Sequence, residues 1–225
     1  MIPELPLYIN IVFIITTLLT VFLFYRAANR SITTLTVITG WMLVQAGLAF
    51  SGFYTVTDTF PPRFALIAVP AIVFIIILFL VPAGRKYLDG LDPRTMTILH
   101  IVRIPVELTL YWLFLNKAVP DIMTFAGRNF DIIAGITAPI IFYIGFANNQ
   151  PRKMILVAWN LLCLGLLFNI VITAVFSAPS SFQQFGLDQP NIAILYFPFV
   201  WLPCCVVPLV LLSHLASLRK LLLNK

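Results

Sequence analysis

The sequence is divided into seven apolar segments, each of about the length that crosses a bilayer, and this spacing restricts the fold more than any other feature. A membrane-spanning helix needs about 17–25 predominantly apolar residues. Hydrophobic residues make up 61% of the 225 positions and charged residues only 10%, whereas soluble domains carry about 25% charged residues. The sequence therefore predicts an all-α polytopic membrane protein, with residues 1–225 forming one bundle of seven transmembrane helices. The predicted segments are residues 7–25, 31–54, 64–83, 93–116, 131–146, 154–176 and 191–215.

Basic residues at the ends of these segments predict the orientation of the chain. Ten of them fall on one set of ends and three on the other, in correct alternation through seven segments. Since cytoplasmic ends carry the excess of Lys and Arg, we expect the N-terminus outside and the C-terminus in the cytoplasm. The net charge of +6 then reflects topology and attraction to anionic lipid, and it requires no nucleic-acid partner. The ten are Arg26, Arg30, Arg85, Lys86, Arg94, Arg152, Lys153, Arg219, Lys220 and Lys225, and the three are Arg63, Lys117 and Arg128.

The N-terminal residues predict that the first apolar segment is retained. They read Met-Ile-Pro-Glu-Leu-Pro and lack the basic region with which a signal peptide begins. We therefore expect a multi-pass protein of the cell membrane. Its general character is similar to that of small bacterial polytopic membrane proteins, which favours the bacterial inner membrane, although no motif assigns a family.

A polar stripe on the fourth segment is the main candidate site. At about 100° per residue, His100, Arg103, Glu107 and Tyr111 share one face of a helix. A charge at this depth costs roughly 2.5–3.5 kcal/mol, so such residues face the bundle interior or a wet cavity and have partners. One interpretation is a structural Arg103–Glu107 pair, four residues apart. The other is a polar cavity in which Glu107 carries protons, Arg103 binds an anion or headgroup, and Tyr111 donates a hydrogen bond.

The second histidine, His214, is predicted at the same depth as His100. It lies five residues before Arg219, so both histidines fall about 8–9 Å from the cytoplasmic boundary. Matched histidines favour haem ligation or a metal site completed by a carboxylate. The alternative is two interfacial histidines that form hydrogen bonds near helix ends. No cysteine motif predicts a metal centre, because the three cysteines lie inside apolar segments, where they are expected to pack.

At the predicted outer face, Arg128, Asn129 and Asp131 lie near Lys117 and Asp121. Asp131 suits the N-terminal end of the fifth helix, where the helix dipole favours an anion. The cluster is interpreted either as a loop held by caps and ion pairs or as an outer mouth, with Arg128 and Asp131 selecting polar ligands.

Proline and asparagine residues indicate how the last two segments pack. The seventh segment contains Pro198, Pro203 and Pro208, and each proline leaves a backbone carbonyl that needs another partner. This segment is predicted to be a broken helix that lines a site, or a bent helix with no further role. On the sixth segment, Asn160 and Asn169 fall on opposite faces and are expected to form interhelical hydrogen bonds.

Several functional classes are excluded, and three remain. No span contains a lysine for a retinal Schiff base, and no HExxH, GxSxG, Walker or Rossmann pattern is present. The first hypothesis is transport or binding of a small polar or anionic solute, proton-coupled through Glu107. The second is an intramembrane enzyme or redox protein that acts on a lipid or quinone through His100 and His214. The third is a membrane receptor or assembly subunit. The expected partners are the lipid bilayer and a small polar solute or lipid, and the sequence sets no oligomeric state.

Overall fold

The structure is a computed structural model that describes residues 1–146 and 152–223, and these residues form helices and turns without a β-strand. Most of the loop predicted between the fifth and sixth segments, as well as Lys225, lies outside the described residues. The described part contains nine α-helices and several short 3₁₀ and π turns. The helices are α1 (Leu7–Ala27), α2 (Ile32–Phe50), α3 (Ala65–Leu80), α4 (Pro82–Gly90), α5 (Pro93–Leu99), α6 (Arg103–Leu115), α7 (Ile132–Gly145), α8 (Lys153–Ser177) and α9 (Val207–Leu222).

Among the described residues, five helical stretches are long and apolar enough to cross a membrane, and α3 with α4 adds a sixth if the bent pair forms one span. The remaining apolar helix, α7, has 14 residues, which is shorter than an ordinary span. The fold is therefore that of an all-helical protein with five or six candidate spans, consistent with a multi-pass membrane protein, and the count of seven stays a prediction. The five are Leu7–Ala27, Ile32–Phe50, Pro93–Leu115, Lys153–Ser177 and Leu202–Leu222.

The third predicted segment is not one straight helix, because the chain bends by 95° between α3 and α4. Val81 is extended and Pro82 begins α4, as expected for a residue that a following proline drives out of the helical region. Gly84 allows the tight bend, since a Cβ atom there would lie 2.6 Å from the Cα of Leu78.

The seventh predicted segment was placed too early in the chain. Residues 191–200 form a 3₁₀ turn and irregular turns, and the helical stretch is Leu202–Leu222. It begins with a π turn at Leu202–Val206. Pro203 and Pro208 lie in the first turns of the π segment and of α9. Pro203 lies at the start of the stretch, where a proline removes a hydrogen bond that the first turn largely lacks, whereas Pro208 lies where the π turn passes into α9.

Two carbonyls that prolines leave unpaired are satisfied by side chains of α2. Pro208 removes the N–H that would bond to the carbonyl of Cys204, and Trp41 Nε1 donates to this oxygen at 3.0 Å. In the same way, Gln45 Nε2 donates to Leu66 O, four residues before Pro70, at 3.4 Å. These bonds fix α2 against both proline-containing helices.

Contacts between the ends of helices bring several residues that are predicted to be cytoplasmic together at one end of the bundle. Arg219 Nε lies 2.9 Å from Asp89 Oδ1, and Lys220 Nζ donates to Leu91 O at 2.7 Å. The backbone N–H of Asp92 donates to Ala27 O at 2.8 Å. The C-terminal ends of α1, α4 and α9 and the start of α5 therefore meet.

Candidate functional site

A cluster of polar side chains is buried among α5 to α9. It contains both histidines, Arg103 and Glu107 from α6, and Asn129 and Asp131 from the turn before α7. Each of these side chains belongs to a residue that is at most 5% exposed. Burial of this many polar groups costs free energy unless they form hydrogen bonds or ion pairs, and buried ionisable residues in membrane proteins typically have a function. The cluster is therefore the candidate functional site.

Arg103 forms its ion pair with Asp131, and the predicted pairing with Glu107 is wrong. Arg103 Nε lies 3.1 Å from Asp131 Oδ2, although the N–H is not aligned for a hydrogen bond. The two terminal nitrogens donate to the carbonyl of Cys163 at 3.4 and 3.5 Å. The physical reason is tertiary packing: residues His100–Val102 form a 3₁₀ turn against which α7 packs, and this packing brings Asp131 to the guanidinium.

Glu107 is held by Asn129. Asn129 Nδ2 lies 2.7 and 2.6 Å from the two carboxylate oxygens of Glu107 and also donates to Met123 O at 3.0 Å. Asn129 Oδ1 accepts from the backbone N–H of Asp131 at 3.0 Å. Asn129 therefore connects the two acidic residues, a role that was not predicted from the sequence. The available signal was its position two residues before Asp131, where an asparagine side chain bonds to the backbone in an Asx turn.

The two histidines stack directly on each other. Their ring centroids are 3.8 Å apart and the rings are inclined by 18°. His214 Nδ1 lies 2.8 Å from Asn160 Oδ1, and because this oxygen only accepts, Nδ1 carries the hydrogen. His214 Nε2 and both nitrogens of His100 have no hydrogen-bond partner within the described ranges.

This stacking does not fit the haem hypothesis. Two axial histidines point at the iron from opposite faces of the haem, so the haem plane lies between them, whereas His100 and His214 are in van der Waals contact. Within residues 1–146 and 152–223, no three His, Cys, Asp or Glu side chains group as ligands for a metal ion. The histidine pair is held by ring stacking and by the hydrogen bond from His214 to Asn160.

Tyr111 and Arg128 lie apart from the buried cluster. Tyr111 is partly exposed, and its ring stacks on Phe125 with centroids 4.9 Å apart. Arg128 is exposed, and its backbone carbonyl accepts a hydrogen bond from Asn169 at 3.0 Å. The two residues predicted to form an outer mouth therefore lie in different surroundings. Asp131 is buried in the bundle, and Arg128 is exposed at the surface.

Several polar atoms of the buried cluster form no hydrogen bond with the described residues. Asp131 Oδ1, three histidine nitrogens and Arg103 Nε have no hydrogen bond in the part of the chain that the structure describes. An unpaired buried polar atom costs about 1–3 kcal/mol. In this set Arg103 Nε is a donor without an aligned acceptor, and Asp131 Oδ1 is an acceptor without a donor.

The sequence matches, over residues 60–222, a family described as a domain of unknown function, DUF8737. This match covers more than half of the chain. The protein belongs to the DUF8737 family. All residues of the buried cluster lie within the matched DUF8737 region, which also includes α3 to α9. No curated protein and no solved structure matches the chain significantly.

Alanine at Gly135 is expected to disturb the Arg103–Asp131 contact. The new Cβ atom would lie 2.8 Å from Ile104 Cγ1 and 3.0 Å from Ile104 N, so α7 would have to move away from α6. Overpacking of this kind costs about 1–3 kcal/mol. Gly165→Ala is the matched control, because no other atom of the described residues lies within 4 Å of its Cβ position. Thermal unfolding in one detergent should show a lower midpoint for Gly135→Ala only, and equal midpoints would contradict the packing described.

Proposed function

We propose that the chain crosses the membrane seven times, with the N-terminus outside and the C-terminus in the cytoplasm. The contact of Arg219 with Asp89 and of Asp92 with Ala27 supports this topology, because it gathers ends that seven alternating segments would place on one side. Arg85, Lys86 and Arg94 belong to the same part of the chain, and an excess of basic residues favours the cytoplasmic side. The bacterial inner membrane stays a prediction from the sequence.

We propose that the protein is a carrier that moves one proton together with one small monovalent anion. The observation that supports this proposal is the buried Arg103–Asp131 ion pair, in which Nε and Oδ2 are 3.1 Å apart. Ionisable residues inside membrane proteins are rare and typically belong to ion or proton pathways. A guanidinium is also the side chain best suited to planar, bidentate recognition of an anion.

The coupling follows from charge balance at this pair. While Asp131 is ionised, it neutralises Arg103 and competes with any incoming anion. Protonation of Asp131 removes its charge, and the guanidinium then requires one monovalent anion in its place. Proton and anion binding therefore favour each other, and by linkage the effect is reciprocal. One positive and one negative charge move together, so the transport cycle is electroneutral.

The neighbouring groups support proton exchange at this position. Glu107 is bound by Asn129 rather than by Arg103, which favours Asp131 over Glu107 as the coupling group. His214 Nε2 and both nitrogens of His100 have no hydrogen-bond partner among the described residues, and His100 lies three residues before Arg103. The 3₁₀ turn at His100–Val102 interrupts the helix directly before Arg103, and such interruptions often mark hinges.

The test is an ion-flux measurement in proteoliposomes that contain a pH-sensitive dye. An inward nitrate gradient should acidify the lumen, and the rate should be independent of membrane potential when it is clamped with valinomycin and potassium. Sulfate, a divalent anion, should give little acidification. Protein-free liposomes serve as the control for acidification that occurs without the protein.

Asp131→Asn should abolish the nitrate-driven acidification, because the amide keeps the shape of the side chain but accepts no proton. Asp58→Asn is the matched control, since Asp58 is an exposed aspartate in the loop between α2 and α3. Acidification that persists in Asp131→Asn, or that requires a membrane potential, would exclude the proposed coupling.

A further inference from the structure

A cavity of about 500 Å³ lies between α2, α3, α4 and the C-terminal helical stretch, away from the buried polar cluster. This volume is in the range of small-molecule and cofactor sites. Val37 of α2 and Phe74 of α3 line it and are 53% and 50% exposed. The cavity therefore opens sideways, on the apolar surface that would face lipid hydrocarbon.

The polar groups of the cavity lie at one end. Thr33 and Thr34 from the start of α2 and Tyr87 from α4 line this end, and Thr34 Oγ1 lies 3.1 Å from Tyr87 Oη. The indole N–H of Trp41 is already bonded to the backbone of Cys204, and most other lining side chains are hydrocarbon or aromatic. An apolar space with hydroxyl groups at one end suits an amphiphile that has a long tail and a polar head.

Basic residues next to Tyr87 in the sequence indicate that the polar head of this amphiphile is anionic. Arg85 and Lys86 precede Tyr87 on α4, and both are exposed. Asn29, in the turn before α2, donates to Gly90 O at 2.8 Å, and this bond holds the basic turn containing Arg30 against the end of α4. Basic residues at a membrane surface attract anionic lipid, each contributing a substantial free energy.

We propose that this cavity binds one acyl chain of an anionic phospholipid, whose headgroup phosphate lies against Arg85 and Lys86. The chain occupies the space between α2 and α3, and the glycerol region lies near Thr34 and Tyr87. The 95° bend between α3 and α4 lets a single helix pair provide the apolar wall and the cationic head site. This site is separate from Arg103 and Asp131, so it stands or fails independently of the proposed transport.

Native mass spectrometry of the purified protein tests the proposal. The protein is incubated in mild detergent with equal amounts of dioleoyl phosphatidylglycerol and dioleoyl phosphatidylcholine, which differ only in the head. We expect one phosphatidylglycerol to be retained preferentially, by roughly 10- to 30-fold, from the two basic residues. Equal retention of both lipids would overturn the proposal.

Two sets of variants separate head binding from tail binding. Arg85→Gln with Lys86→Gln should remove the preference for phosphatidylglycerol, and because both residues are exposed the fold should persist. Val37→Trp should fill the cavity and eliminate tight lipid retention. Val73→Trp is its matched control, since Val73 is 47% exposed on α3 but does not line the cavity.

The remaining outcomes each contradict the proposal. Equal lipid retention in Val37→Trp and Val73→Trp would mean that lipid binds elsewhere. Co-purification of an isoprenoid quinone that Val37→Trp displaces would assign the cavity to a different amphiphile. A lipid-free dimer that Val37→Trp dissociates would assign it to a second copy of the chain.

Discussion

Arg103→Leu is expected to destabilise the protein by about 3–5 kcal/mol, the cost of removing one partner from a buried ion pair. In this variant Asp131 keeps its carboxylate in the interior, where it is 5% exposed, without the guanidinium that faces it. The Cys163 carbonyl also loses the donors at 3.4 and 3.5 Å. Reversible unfolding in mixed detergent micelles, followed by intrinsic fluorescence, measures the change.

The double variant Arg103→Leu with Asp131→Leu separates an electrostatic cause from simple loss of packing. Replacing both members of a buried pair by apolar residues is often neutral or stabilising, so the double variant should recover most of the lost stability. If it is as unstable as Arg103→Leu, or if Arg103→Leu alone is harmless, then the ion pair does not hold the two helices as described. The transport proposal predicts, in addition, that the stable double variant carries no anion.

Gly84→Ala is expected to cause the second large effect, of about 1–3 kcal/mol or more. The added Cβ atom would overlap Leu78 O and would lie 2.6 Å from Leu78 Cα and 2.8 Å from Leu78 C. Because all of these are backbone atoms, no side-chain rotation relieves the overlap. At Gly135, in contrast, the nearest atom is Cγ1 of the Ile104 side chain. The bend between α3 and α4 must open, and Tyr87 must move away from Thr34.

Gly90→Ala is the control for this prediction, because Gly90 belongs to the same helix and no atom in the described part of the chain approaches its Cβ position within 4 Å. Thermal unfolding midpoints in one detergent should fall for Gly84→Ala and remain near wild type for Gly90→Ala. Retention of phosphatidylglycerol should decrease only in Gly84→Ala. An unchanged midpoint for Gly84→Ala would mean that the bend tolerates a side chain and is not set by this contact.

The sequence predicted helices well where an apolar run ends at charged or turn residues. Residues 7–25 correspond to Leu7–Ala27, and residues 154–176 correspond to Lys153–Ser177. Arg26 and Arg152 limit these runs, and the cost of burying a charge makes such limits reliable. The coarse prediction of an all-helical protein with several candidate membrane spans is confirmed.

Hydrophobicity alone misplaced the seventh segment. Residues 191–200 are almost as apolar as a helix but fold as turns, and the helical stretch continues to Leu222 past Arg219 and Lys220. Both basic residues are bound at the end of α4, to Asp89 and to Leu91 O, so they extend the helix instead of ending it. The prolines were the better guide, because two of them lie where helical turns begin.

The partners within the site depended on tertiary packing, which spacing on one helix does not reveal. The interval of four residues allowed Arg103 to pair with Glu107, yet a residue 28 positions further along the chain than Arg103, Asp131, takes that role. The shared depth of His100 and His214 was predicted from residue counts, and the structure brings their rings to 3.8 Å. Depth in the membrane restricts which residues can contact each other. The rotation of each helix about its own axis then determines which side chains face each other.

Coupling of proton and anion at Asp131 is tested most directly by the number of protons that the purified protein takes up when an anion binds. Nitrate is added to concentrated protein in weakly buffered detergent solution, at a pH where the Arg103–Asp131 pair is ionised, and the pH change is recorded. We expect uptake of about one proton per bound nitrate, by linkage between the two ligands, and no uptake in Asp131→Asn. Nitrate binding without proton uptake, or equal uptake in Asp131→Asn and wild type, would contradict it.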